Sequence, residues 1–259
     1  MGTKENQNKR QEPLFVTSVQ RSMQILEAFD SNNRNLSLSD LVKTTGLNRS
    51  AVQRFLYTLE SLGYLKKDQS TKRFGLTPKV MSLGYNYLKG ERLVEIATPL
   101  LLEARKRTGN AVYLGTLYET DIIYLVRLPQ RFLLLESTLP GRRVPAFCSG
   151  RAILAHLPDQ EVEDLLRRSS MEKITPFTIV DIKGNMDEVD KARKQGYVIS
   201  SQEQLIGEIA ISSAVVGRTG TPLAAVYVSV NFSEWSIEKI KAELVPVVIE
   251  VAGSIGAQF

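Results

Sequence analysis

Apolar positions follow helical spacing up to about residue 109, and from Ala111 onward they also alternate or cluster as strands do. Val19, Met23, Ile25, Leu26 and Phe29 predict a first helix from Thr17 or Ser18, ended by the turn formers Asp30-Ser31-Asn32-Asn33. Ser37, with Asp40 three positions on, predicts a capping box opening a second helix that stops near Gly46. A third helix starts after Asn48, a good cap. Two short helices joined through a glycine turn form the helix-turn-helix pattern. Stepping about 100° per residue along the third helix, Val52, Phe55, Leu56, Leu59 and Leu62 gather on one side. Ser50, Gln53, Arg54 and Tyr57 gather on the other, with Arg49 at the flank.

Beyond that helix, apolar residues flank the polar turn Asp68-Gln69-Ser70-Thr71-Lys72, a predicted hairpin. A hairpin behind such a helix reads as a wing, with Lys72 and Arg73 at its tip to meet phosphates or the minor groove. Thr77-Pro78 restarts a helix whose stripe of Met81, Tyr85 and Leu88 has no core of its own and suits a dimer contact. Leu93, Ile96, Ala97, Leu100, Leu101 and Ala104 predict a further helix ended by Gly109. Strands follow at Ala111–Leu117, Ile122–Leu128 and Phe132–Ser137, with helices at Ser149–Leu157, Glu161–Arg168 and Met186–Gln195. Strands Ile209–Val216 and Leu223–Val230 precede a terminal helix from Ile237 to about Ile255. Runs of antiparallel strands with helices at the ends predict an α+β sheet domain.

Composition places these elements in two domains, since 259 residues exceed one small domain. A lone cysteine, Cys148, cannot form an internal disulfide, which suits a reducing compartment. No apolar run approaches the roughly 18 to 20 residues of a membrane span, and Met1 to Arg10 is too polar for a secretion signal. The expectation is a cytoplasmic protein without a membrane partner. Charge sharpens the picture: residues 1–90 hold 14 Lys/Arg against 7 Asp/Glu, net +7, and residues 91–259 hold 19 against 21, net −2. A basic module beside a near-neutral one is what phosphate binding by one domain requires.

Read alone, the third helix is equally an ordinary amphipathic surface helix. Helix, helix-turn-helix and basic hairpin together favour double-stranded operator DNA, with arginine reading guanine and glutamine reading adenine. The candidate DNA-binding residues are Ser37, Ser39, Asn48, Arg49, Ser50, Gln53, Arg54, Tyr57, Lys72 and Arg73. A hydrolase would have to use His156 as its base, yet no Gly-x-Ser-x-Gly elbow is present, and a structural role suits that histidine better. One Cys and one His make a zinc site depend mainly on carboxylates, and no P-loop or dinucleotide fingerprint appears, so no cofactor and no catalytic residue is expected. A non-specific nucleoid protein would leave the large neutral second domain unexplained.

The chain resembles the IclR family of bacterial transcription regulators over nearly its whole length. The resemblance is carried by Ser18-Val19-Gln20-Arg21-Ser22-Met23-Gln24-Ile25-Leu26, Thr45-Gly46-Leu47-Asn48-Arg49-Ser50, Leu62-Gly63-Tyr64-Leu65 and Phe74-Gly75-Leu76-Thr77. In the second half it is carried by Pro145 through Ala155 and Gly196-Tyr197 through Glu203. It implies a winged helix-turn-helix over 14–77 after a disordered tail, 1–13, and a linker helix, 78–90, that dimerises. A GAF-like effector-binding domain over 91–259 completes the implied fold, along with a small organic acid as effector and a homodimer that pairs into a dimer of dimers. Its two pocket segments contain Phe147, Ser149, Gly150, Ser200 and Ser201, and Ala210 and Ser229 outside them complete the candidate effector-binding residues. Ser200, Ser201 and Ser229 would orient the acid with neutral hydroxyls or serve only as polar surface. Ser149 and Gly150 would open a helix whose free amides attract a carboxylate, unless Ser149 serves only as its cap. Arg142 and Arg143 would clamp an anion or form an exposed loop. The chain departs from the family pattern at Arg151, where lysine is usual, at Ser200 and Ser201, where acidic residues are usual, at Ala210, where cysteine is frequent, and at Ser212-Ser213-Ala214, where Ala-Ala-Pro is.

Overall fold

The structure, a computed structural model, describes residues 14–30, 33–130 and 147–259, with the backbone alone of Arg142 and Arg143. The expected tail over 1–13, the expected strand at Phe132–Ser137 and the side chains of Arg142 and Arg143 lie outside the described residues. The chain divides between Leu88 and Lys89 into two compact units.

The first unit runs α1 (Thr17–Glu27), β1 (Asn35–Leu36), α2 (Leu38–Thr45), α3 (Arg49–Ser61), β2 (Leu65–Lys67) and β3 (Phe74–Leu76). Ser37 caps α2 as expected: its hydroxyl accepts from the Asp40 amide at 3.2 Å, and the Asp40 carboxylate accepts from the Ser37 amide at 2.9 Å. Gly46 ends α2 at φ +68°, a conformation without penalty for glycine. Asn48 caps α3, its Oδ1 accepting from the Ala51 amide at 2.8 Å. Ile25, Leu41, Val52, Leu56, Leu59, Leu65 and Phe74 close into one core. Leu62, expected inside, is 52% exposed because α3 has already ended there. The two-residue β1, unforeseen in the sequence, pairs with β3 to complete a three-stranded antiparallel sheet. The hairpin turn is held by Asp68, whose Oδ1 accepts from the Ser70 and Thr71 amides. These bonds, led by the Ser70 hydroxyl, pull its pKa down to about 2. Helix α4 (Val80–Gly90) buries none of its residues and exposes Met81, Leu83, Tyr85 and Tyr87.

The second unit is built on a six-stranded antiparallel sheet in the order β6-β5-β4-β9-β8-β7. Its strands are β4 (Ala111–Tyr118), β5 (Asp121–Leu128), β6 (Arg142–Arg143), β7 (Val198–Ser201), β8 (Glu208–Val216) and β9 (Pro222–Asn231). Alternate side chains point to opposite faces. Val112, Leu114, Ile209, Ile211, Val226 and Val228 face α5 (Arg92–Thr108) and α10 (Val245–Gly256). The other face is covered by α6 (Cys148–Leu154), backed by α7 (Asp159–Arg168) and α8 (Ile182–Gln195). The expected single terminal helix is two, α9 (Ile237–Glu243) and α10, because Pro246 in the first turn of α10 has no N–H to continue the ladder. Helix α10 lies so close to β8 that a Cβ at Gly256 would sit 2.2 Å from the Val216 carbonyl oxygen.

Candidate nucleic-acid interface and ligand site

On α3 the division foreseen in the sequence is realised. Val52, Leu56 and Leu59 are buried, and Arg49, Ser50, Gln53, Arg54 and Tyr57 are exposed, Tyr57 by 73%. Ser39 stands beside this row, its hydroxyl accepting from Arg49 Nη1 at 3.4 Å. Lys72 is exposed in the hairpin turn with φ +58°. Three other candidates have structural duties: Ser37 and Asn48 are the helix caps, and Arg73 folds back from the hairpin. Its Nη1 donates to Asp40 Oδ2 at 2.9 Å and to the Asn35 carbonyl at 3.0 Å. Asp40 is held below the ordinary carboxyl range by the Ser37 amide and hydroxyl and by Arg73. Two hollows extend this surface with cations not singled out in the sequence. One, of about 770 Å³, is lined by Arg34, Asn35, Asp40, Lys43, Thr44 and Arg73, and the other, of about 240 Å³, puts Arg21 of α1 beside Arg54. Only their charge marked Arg34 and Lys43 in the sequence.

In the second unit, strand register places the ligand-site candidates. Ser200 pairs with Ala210 and Ala210 with Ser229, so the three side chains form one row on the face under α6. Ser201 is the next residue along β7 and pairs with Ile209, so it falls on the opposite face. Ser149 is not the cap of α6, which begins at Cys148 after Phe147. Its Oγ is buried and has no hydrogen-bond partner among the described residues. Phe147 and Gly150 are buried beside it. His156 is exposed past the end of α6, and desolvation by the neighbouring protein, then the Arg193 charge, lower its pKa.

The same face carries polar groups that the sequence reading missed. Glu208 Oε1 accepts from the Tyr227 hydroxyl at 2.8 Å and from Ser229 Oγ. Burial, then the Glu208 charge, pushes the Tyr227 hydroxyl well above its usual range. Tyr113, Tyr124 and Tyr227 cluster with ring centroids 5.3 to 6.1 Å apart. The Arg127 guanidinium lies 5.2 Å from Tyr113 and 5.3 Å from Tyr124, a favourable cation–ring arrangement. Behind them is a buried ion pair. Arg151, with no exposed surface, donates to Glu203 Oε1 at 2.6 Å and to Oε2 at 2.8 Å, and twice more to Asn185 Oδ1. Ser200 Oγ donates to Glu203 Oε1 at 2.8 Å, which joins the strand row to the pair. Burial works to raise the Glu203 carboxyl, but the bonds and charge of Arg151, with Ser200 and the Ile179 amide, hold it below the ordinary value. Cys148 gives its thiol to the Val198 carbonyl at 3.6 Å, and burial raises its pKa far above that of a free thiol. Among the described residues no group of three or more His, Cys, Asp or Glu could hold a metal ion, and no helix is long and apolar enough to cross a membrane.

Comparison with known proteins gives two family matches. A family model described as the IclR helix-turn-helix domain matches residues 18–69, and one described as the bacterial transcriptional regulator IclR C-terminal matches residues 85–257. The chain is 29% identical over 242 residues to the Pca regulon regulatory protein of Pseudomonas putida, covering 92% of this chain and 82% of that one. Among solved structures it is similar to a transcriptional regulator from Rhodococcus sp. RHA1, with 30% identity, TM-score 0.78, and coverage of 93% of this chain and 97% of that one. An IclR homolog from Microbacterium hydrocarbonoxydans, crystallised as a complex with 4-hydroxybenzoate, shares the fold at TM-score 0.74 and 21% identity, over 92% and 97% of the two chains.

Proposed function

Because this chain belongs to the IclR family of bacterial transcriptional regulators, we propose that it is a sequence-specific regulator of catabolic genes whose grip on operator DNA is set by a small organic acid. The observation that carries the reading is α3, sealed to its core along Val52, Leu56 and Leu59 while Arg49, Ser50, Gln53, Arg54 and Tyr57 stand in solvent. Such a helix enters a major groove with its polar row toward the base edges, and Lys72, Arg34 and Lys43 supply charge for the flanking phosphates. Ser39 steadies Arg49, and Ser37, Asn48 and Arg73 act by fixing the helix ends and the hairpin that present this row. Met81 and Tyr85, exposed one turn apart on α4, support a homodimer, which would set two α3 helices one helical turn apart on a palindromic operator.

Arg49→Ala or Arg54→Ala is expected to weaken operator binding by about 1 to 3 kcal/mol where a base contact is lost. Lys72→Ala should instead lower affinity for all sequences and flatten the dependence on salt. Fluorescence anisotropy with operator and scrambled duplexes at several salt concentrations separates the two. Unchanged affinity in both arginine variants would remove α3 from the interface.

The effector belongs on the sheet face under α6. Phe147, Ser149 and Gly150 lie at the start of α6, which packs on that face, and Ser200, Ala210 and Ser229 form a row on it. Ser201 is on the far face, and Ser149 brings a buried hydroxyl without a partner among the described residues. The relative solved with 4-hydroxybenzoate supports a carboxylate of that size. Binding of such an acid should slow amide exchange over Ser149 to Ala155, as read by hydrogen exchange with and without ligand. Slowing confined to the Asp68–Arg73 hairpin would refute the placement. Coupling between acid and operator must be reciprocal: an acid that loosens DNA is itself bound more weakly by the DNA complex.

A further inference from the structure

On the face assigned above to the effector, three hydroxyls of the strands have already committed their protons. Tyr227 and Ser229 both donate to Glu208 Oε1, and Ser200 donates to Glu203 Oε1. A hydroxyl that has given its proton to a carboxylate offers a ligand only lone pairs. Glu208 Oε2 accepts from no side chain among the described residues, and Glu208 is only half-buried. An incoming molecule can therefore reach it. Around it stand Tyr227, Ser229 and Ala210, the last a small side chain between Ser200 and Ser229 in the row. The polar groups at this end form an acceptor cluster with a negative charge at its centre.

We propose that Glu208 is the specificity-determining residue of the effector site, and that it accepts a hydrogen bond from a hydroxyl of a hydroxylated organic acid. This rests on the acid-effector reading given above. The acid's own carboxylate points away from Glu208, because two anions side by side repel and neither finds a donor there. An acid without the hydroxyl leaves the charged Oε2 desolvated and unmatched, which is the condition under which hydrogen-bonding sites discriminate most strongly.

The test uses the full chain and matched acids, benzoate against 4-hydroxybenzoate and butyrate against 4-hydroxybutyrate, titrated by calorimetry. The hydroxylated member of at least one pair is expected to bind roughly tenfold to a hundredfold more tightly, the range for one bond to a charged group. In Glu208→Gln the gap should collapse while the unsubstituted acid keeps or gains affinity, a change that mere loss of folding would not produce. Glu208→Asp, which keeps the charge but withdraws it by one methylene, should narrow the gap without abolishing it, so the proposal remains testable where Glu208→Gln does not fold. Equal affinity within both pairs, or a gap that survives Glu208→Gln, overturns the role of Glu208 and leaves acid control standing. Binding by none of the four acids overturns the acid-effector reading and this inference with it.

Discussion

Glu203→Ala is expected to destabilise the C-terminal unit by about 3 to 5 kcal/mol, because it leaves the guanidinium of Arg151 buried without its counter-charge. Arg151 has no exposed surface and Glu203 is 6% exposed, so water cannot replace the lost carboxylate. Asn185 Oδ1, which accepts from two Arg151 nitrogens, carries no net charge and offsets only part of the loss. Against the roughly 5 to 15 kcal/mol that separates most domains from unfolding, a change of this size removes much of the margin. Trp235, the one tryptophan of the chain, lies in this unit and gives the fluorescence signal for a urea titration. A variant as stable as the parent would show that the pair contributes nothing net.

The same pair sets an acid limit. The Glu203 carboxyl is held below its usual value in the folded state, so its contribution is complete above the unfolded value near 4.5 and is lost as pH falls through the lower folded one. The stability of the parent should therefore drop on that interval, and the drop should be smaller in Glu203→Ala.

Leu56→Ala is the second large effect expected, about 2 to 5 kcal/mol against the first unit. Leu56 is 1% exposed and packs in one core with Ile25, Leu41, Val52, Leu65 and Phe74. A small domain has little core to spare. Specific DNA binding should fail together with the helical circular-dichroism transition of this unit. Arg54→Ala serves as the contrast: on an exposed side chain it should weaken DNA binding with the melting curve unmoved. Loss of binding in Leu56→Ala with full thermal stability would mean that Leu56 contacts the ligand rather than the core.

How far the sequence could be read depended on the range of the forces involved. The Ser37 and Asp40 box, the Gly46 stop and the Asn48 cap are contacts within four residues, and each was visible in spacing alone. The start of α8 was legible too, in Asp181 whose Oδ1 accepts from the Gly184 amide at 2.7 Å, although apolar spacing pointed to a later start at Met186. Strand β1 has two residues and forms only because β3 lies beside it, so no local pattern could announce it. Arg151 stood out in the sequence as a departure from lysine, but its partner is 52 positions away and no periodicity links them. The faces taken by Ser200 and Ser201, and the meeting of Glu208 with Tyr227 and Ser229, follow from strand register, which only the assembled sheet fixes.

Cys148 leaves a quieter consequence. Its sulfur is sealed between α6 and β7 and kept in the protonated state, so the folded chain offers alkylating reagents and peroxides no thiolate to attack. Chemistry at that atom has to wait for the helix to lift. The pace of maleimide labelling thus becomes a clock for the opening of the cover over the strand row.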